Sequence, residues 1–145
     1  MRYLFTLLAF TVLIAGTSAK TTDDDGGKKK KADNELADRI KISFRSGNSR
    51  MLATCLNNQV ELVIDSEKID FSKISSDQAE QILKNFFQKN PPMNFQYVYQ
   101  GSSNTEVRYS VANFHSKNTD YLVYILIKRA GVNKYVVDTI QFREG

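Results

Sequence analysis

The sequence contains one cysteine, one histidine, two prolines and no tryptophan in 145 residues. A lone cysteine excludes an internal disulfide framework and a CxxC redox pair. With only one histidine beside it, cysteine-rich and mixed cysteine/histidine zinc sites are excluded as well. No apolar run approaches the roughly 20 residues that a membrane-crossing helix requires. Serine-hydrolase elbows, phosphate-binding loops, dinucleotide fingerprints, HExxH and EF-hand patterns are all missing, so no cofactor and no metal is expected. What is present is 41% hydrophobic and 25% charged residues. That is too apolar for a disordered polypeptide, and the length suits one ordinary domain.

Residues 1 to 19, MRYLFTLLAFTVLIAGTSA, combine an early Arg2, an apolar stretch from Leu4 to Ala15 and small residues at Thr17-Ser18-Ala19. This is the pattern of a secretory signal peptide cleaved after Ala19, and no cysteine follows it to carry a lipid. A secreted or periplasmic protein is expected, with no membrane span left after cleavage. Residues 20 to 32 open with KTTDDDGGKKKK, a charged segment without apolar residues that reads as a flexible linker. The formal charge of +4 is concentrated there and in Arg2, leaving residues 32 to 145 with 14 basic and 13 acidic side chains. A nearly neutral domain speaks against nucleic acid as a partner. Lys28 to Lys31, with no interleaved aromatic residues, read as solvated linker. Residues 33 to 145 then form a single domain.

In that domain Leu36, Ala37, Ile40 and Phe44 have helical spacing, and Ser46-Gly47-Asn48 stops the helix. Ser49 is positioned to cap a short second helix carrying Leu52, Ala53, Cys55 and Leu56. Cys55 reads as a small buried hydrophobe, since no base lies nearby in sequence. Val60 to Ile64, VELVI, reads as a strand, followed by a turn and a hairpin partner around Ile69 and Phe71. Ser75 and Gln78 have capping-box spacing, with Ile74 placed to staple onto Ala79. Ala79, Ile82, Leu83, Phe86 and Phe87 then make one broad apolar face, and Asn90-Pro91-Pro92 ends the helix.

Beyond Pro92 the period of the pattern falls to two. Met93, Phe95, Tyr97 and Tyr99 alternate with Asn94, Gln96, Val98 and Gln100, GSSN at 101 to 104 turns the chain, and Val107, Tyr109 and Val111 continue in the next strand. Tyr121 to Ile127, YLVYILI, is apolar on both faces, as in a central strand. Ala130 to Asn133 makes the last turn. In the final strand Tyr135 and Val137 share one phase whereas Ile140 and Phe142 share the other. A β-bulge near Asp138-Thr139 reconciles them.

Helices, a small strand unit, a third helix and a meander of bent strands resemble the nuclear-transport-factor-2-like superfamily. The stretches FRSGNSRMLATCL, SSDQAEQILKNFFQKNPP, QGSSN, YLVYILIKR and KYVVDTIQF are similar to a family of uncharacterised secreted bacterial proteins with that fold, a domain of unknown function. The resemblance implies an α+β cone, with three helices from the N-terminal half packed on a curved antiparallel sheet around a cavity, and it implies no activity. Such a cavity suits a small apolar ligand, with Tyr97, Tyr109, Tyr124 and Phe86 as candidate contacts, although strand propensity alone accounts for the clustering of tyrosines. The preferred function is a non-catalytic binding module. The alternative is a small lyase or isomerase-like enzyme, as in superfamily members that use a cavity Asp or His with Tyr; Asp138 and His115 are the available bases, with Tyr109 or Tyr124 as donors. Superfamily members often dimerise through the outer sheet face, and the two-sided strand YLVYILI points to a homodimer here.

Overall fold

A computed structural model describes residues 34–145. The signal peptide and the linker inferred above lie outside the described residues. Helix α1 covers residues 34–46 and α2 covers Ser49–Ala53. Gly47 joins them at φ +67°, a left-handed backbone that glycine adopts without strain. The cap of α2 is Asn48 rather than Ser49: its side chain accepts from the Met51 amide at 2.9 Å. Both are good capping residues, and the extended backbone falls at Asn48. Strands β1 (Leu56–Ile64) and β2 (Ile69–Ser75) flank a 3-10 turn at Asp65–Glu67. Both strands exceed the extents read from the sequence, because pairing of Leu56 with Val137 and of Gln59 with Ser75 carries the ladders past the apolar runs.

Helix α3 spans Ser76–Lys89 and carries the full capping box between Ser75 and Gln78. Ala79, Leu83, Phe86 and Phe87 are buried, Ile82 is half-buried, and Asn90 closes the helix. Strands β3 (Pro92–Ser102), β4 (Val107–Ser116), β5 (Asp120–Gly131) and β6 (Lys134–Glu144) then form the meander. The six-stranded sheet runs β2-β1-β6-β5-β4-β3. Its pairings are antiparallel except β1 with β6, which is parallel, so the curved sheet is mostly antiparallel. No hairpin constrains β1 against β6, since nearly the whole domain lies between them, so parallel pairing is open to them.

Register shifts in β6 and β3 set which side chains face the helices. In β6, Leu126 pairs with Thr139 and Ile127 with Val137, so Asp138 is the extra residue of a bulge. Tyr135 and Val137 thereby join Ile140 and Phe142 in the core. In β3, a shift between Tyr97 and Tyr99 turns Gln100 and Ser102 towards the helices and sends Tyr99 to the opposite side. The uniform alternation expected for Met93, Phe95, Tyr97 and Tyr99 is therefore broken. Phe95 is buried, while Met93 and Tyr99 are exposed.

The core is rich in phenylalanine. Phe44 on α1 lies 4.6 Å from Phe95, 5.6 Å from Phe114 and 5.8 Å from Phe142, centroid to centroid. Phe86 on α3 lies 4.5 Å from Phe142 and 5.3 Å from Tyr121. These rings fill the space between helices and sheet, where burying each aromatic side chain contributes on the order of 2–3 kcal/mol.

Candidate functional site

The two candidate bases lie apart. His115 holds Asp120 at 3.0 Å through Nδ1, across one step of the β4–β5 ladder, and is half-exposed. Asp138 stands at the β6 bulge opposite the Leu126/Ile127 step, roughly 20 Å away along β5 at about 3.3 Å per residue. Its carboxylate pairs with Lys128 Nζ at 3.3 Å and accepts from Asn57 Nδ2 at 3.4 Å. No group of three or more His, Cys, Asp or Glu side chains suited to a metal occurs among the described residues.

The four candidate ligand contacts also separate. Phe86 is fully buried in the ring cluster. Tyr97 faces the helices and donates its hydroxyl to the Ala37 carbonyl at 2.7 Å, pinning β3 to α1. Burial pushes that hydroxyl far above its ordinary pKa, with Cys55 and Asp38 adding to the shift. Tyr109 and Tyr124 lie on the other side of the sheet and are exposed. In β4 the core phase is Ser110, Ala112 and Phe114, so the apolar phase of Val107, Tyr109 and Val111 points away from the helices.

That outward phase continues across the strands. Tyr99, Val111, Tyr124 and Gln141 are successive register partners in β3, β4, β5 and β6. The neighbouring row is Gly101, Tyr109, Leu126, Thr139 and Glu61. Tyr99 lies across Gly101, where a Cβ would collide with its ring, and stacks on Tyr109 at 6.0 Å. A shallow groove of about 360 Å³ runs between the rows. Thr139 donates to Glu61 at 3.4 Å at its far end.

A second concavity opens at one end of the fold. Leu36 and Ala37 of α1, Ser102 of β3, Arg108 and Ser110 of β4 and Ile127 of β5 enclose about 330 Å³. The β3 bulge supplies the polar rim, and Arg108 sits in the same inward phase as Ser110. Sequence reasoning passed over Arg108. The signal available was its shared phase with Ala112 and Phe114. Cys55 is buried beside α2, and burial raises its thiol pKa, with Arg39 opposing.

A three-helix layer on one face of a curved, mostly antiparallel six-stranded sheet defines a nuclear-transport-factor-2-like fold. A nuclear-transport-factor-2-like protein of unknown function from Silicibacter pomeroyi superposes with a TM-score of 0.58 at 10% identity, covering 89% of this chain and 99% of that one. Within that class the chain belongs to the family described as Domain of unknown function (DUF4783), which matches residues 37–143. Crystal structures of two proteins of this family are similar to it. One from Bacteroides uniformis gives a TM-score of 0.67 at 22% identity, covering 74% of this chain and 95% of that one. One from Bacteroides fragilis gives 0.67 at 22%, covering 74% and 96%. Among curated proteins none matches the sequence.

Proposed function

We propose that this chain is an exported, non-catalytic binding domain that works through the outer face of its sheet, and that the occupant of that face is a second copy of the chain. The observation that carries the proposal is the open row of Tyr99, Val111 and Tyr124 beside Tyr109 and Leu126. The helix side of the sheet is already covered by its phenylalanine core. The outer side offers apolar and tyrosine surface, which monomers rarely leave uncovered over large areas. From β3 to β1 the face measures roughly 20 by 30 Å, using about 4.8 Å between strands and about 3.3 Å per residue. That projected area of roughly 600 Å² is of the same order as the about 800 Å² per partner of a standard interface. Flanking charges are largely paired, Lys128 with Asp138 and Arg143 with Asp65 at 2.7 Å, so two copies meet without a like-charge clash at those positions. Tyrosine at the centre of such a patch combines apolar area with a hydroxyl, as in known interface hot spots. Export rests on residues 1–19.

Light scattering after size-exclusion chromatography tests the assembly. A dimer is expected at micromolar concentration, and Tyr124→Lys should shift it to monomer with an unchanged far-UV circular dichroism spectrum. A monomeric parent, or a variant that stays dimeric, overturns the reading. Export is checked separately by the mass of protein recovered outside the cytoplasm, which should begin at Lys20.

A further inference from the structure

Gly101 in β3 is the register partner of Tyr109 in β4, so it sits in a paired strand rather than a turn. Its φ lies outside the left-handed region that Gly47 occupies, and its backbone would accept a side chain. What excludes one is Tyr99. A Cβ at position 101 would stand 2.8 Å from Tyr99 Cζ and 2.9 Å from its Cε2. Carbon atoms in contact keep roughly 3.5–4.0 Å apart, so the ring and a Cβ compete for one place. Residues 99 and 101 share the outward side of the strand, and the ring leans over the glycine to stack on its partner Tyr109 at 6.0 Å, with the ring planes 27° apart. Tyr99 and Tyr109 still remain 53% and 37% exposed. The arrangement therefore buries little and orients much, although a glycine inside a strand weakens it.

We infer that Gly101 is the positioning residue of the dimer surface: it lets Tyr99 lie down over β3 and β4, so that Tyr99 and Tyr109 meet the outer face of a second copy as one level aromatic layer. The inference rests on the assembly proposed above and names the position that decides its fit. Sheets packed face to face sit about 10 Å apart, and the side chains of both must share that gap. A ring folded against its own sheet occupies less of the gap and offers its flat side to the partner. It is also held by Tyr109 before the copies meet, so less side-chain freedom is lost on association.

Gly101→Ala tests this, because the atoms in its way are the far end of a flexible side chain and the sheet need not move. Light scattering over a dilution series should show the dimer dissociation constant raised about tenfold or more, since the ring is displaced in both copies. In a Tyr99→Ala background the same substitution should change the constant by less than about twofold, as expected of a residue that acts only through that ring. Gly131→Ala, at a position where among the described residues nothing lies within 4 Å of a Cβ, should leave the constant unchanged. Where Tyr99→Ala is monomeric throughout, Gly101→Ala and this control decide. The Gly101 Hα signals should be displaced by the Tyr99 ring current and return to ordinary values in Tyr99→Ala, a readout independent of assembly. A dimeric parent that Gly101→Ala leaves unchanged, or changes equally with and without Tyr99, overturns the inference and leaves the dimer standing. A monomeric parent overturns both. Gly101 protons indifferent to Tyr99→Ala overturn the placement of the ring, and the inference with it.

Discussion

Replacing Phe44 by Ala removes the ring that ties α1 to the sheet. Phe44 is fully buried and lies within 6 Å, centroid to centroid, of Phe95, Phe114, Phe142 and also Phe87 at 5.7 Å. A buried Phe→Ala change costs about 3–5 kcal/mol, the lost transfer energy plus the cavity left behind. The upper part of that range applies here, because the void would be walled by other rings anchored on α3, β3, β4 and β6, none free to collapse alone. A domain of this size has on the order of 5–15 kcal/mol in total, so the variant loses at least about a quarter of its stability. Phe44→Leu keeps most of the volume and should cost about 1.5 kcal/mol. Urea unfolding followed by far-UV circular dichroism measures both, with the slope m unchanged if the denatured state is unaffected. A Phe44→Ala loss below about 1.5 kcal/mol would refute the assignment of Phe44 as the hub of a rigid aromatic core.

Two further outcomes follow from buried titratable groups. The Tyr97 hydroxyl has a folded pKa raised above its ordinary 10.0. Above pH 10 the unfolded chain therefore releases a proton that the folded chain keeps, and stability falls with rising pH. Its contribution to that slope is at most about 1.4 kcal/mol per pH unit, so Tyr97→Phe should unfold less steeply with pH by up to that amount; parallel curves would count against the buried hydroxyl. The Cys55 thiol, buried with its pKa raised and Sγ directed to the Met51 carbonyl at 3.7 Å, should resist alkylation at pH 8 until urea is added. Modification at the rate of a free thiol in native protein would contradict its placement.

Features encoded by neighbouring residues were readable before any coordinates. The Ser75/Gln78 box and the Phe86/Phe87 face of α3 depend on spacing within one helix, and the structure contains both. The bulge at Asp138 was readable because Tyr135/Val137 and Ile140/Phe142 conflict in phase, and only an extra residue resolves the conflict. At β3 no such conflict exists. Phe95, Tyr97 and Tyr99 suit either face, so the shift near Val98 is decided by pairing with β4 rather than by local pattern. The same ambiguity concealed the orientation of β4. Val107, Tyr109 and Val111 are as apolar as Ala112 and Phe114, and distant packing chooses between them. Arg108 escaped notice for this reason, as an arginine within an apolar strand reads as solvent-facing until the opposite phase proves to be the inner one.

The parallel ladder between β1 and β6 governs the order of assembly. Leu62 must meet Ile140 and Ile64 must meet Phe142, partners separated by nearly the whole domain. Until β6 is in place, the β1–β2 hairpin has nothing to join, and β5 presents an unpaired edge along Tyr121–Ile127. An edge so apolar is an invitation to intermolecular strand pairing. Chains that lack β6 therefore pass through a sticky interval that closes only when Lys134–Glu144 docks between β1 and β5, and removing that strand would leave two halves of a sheet that cannot find each other.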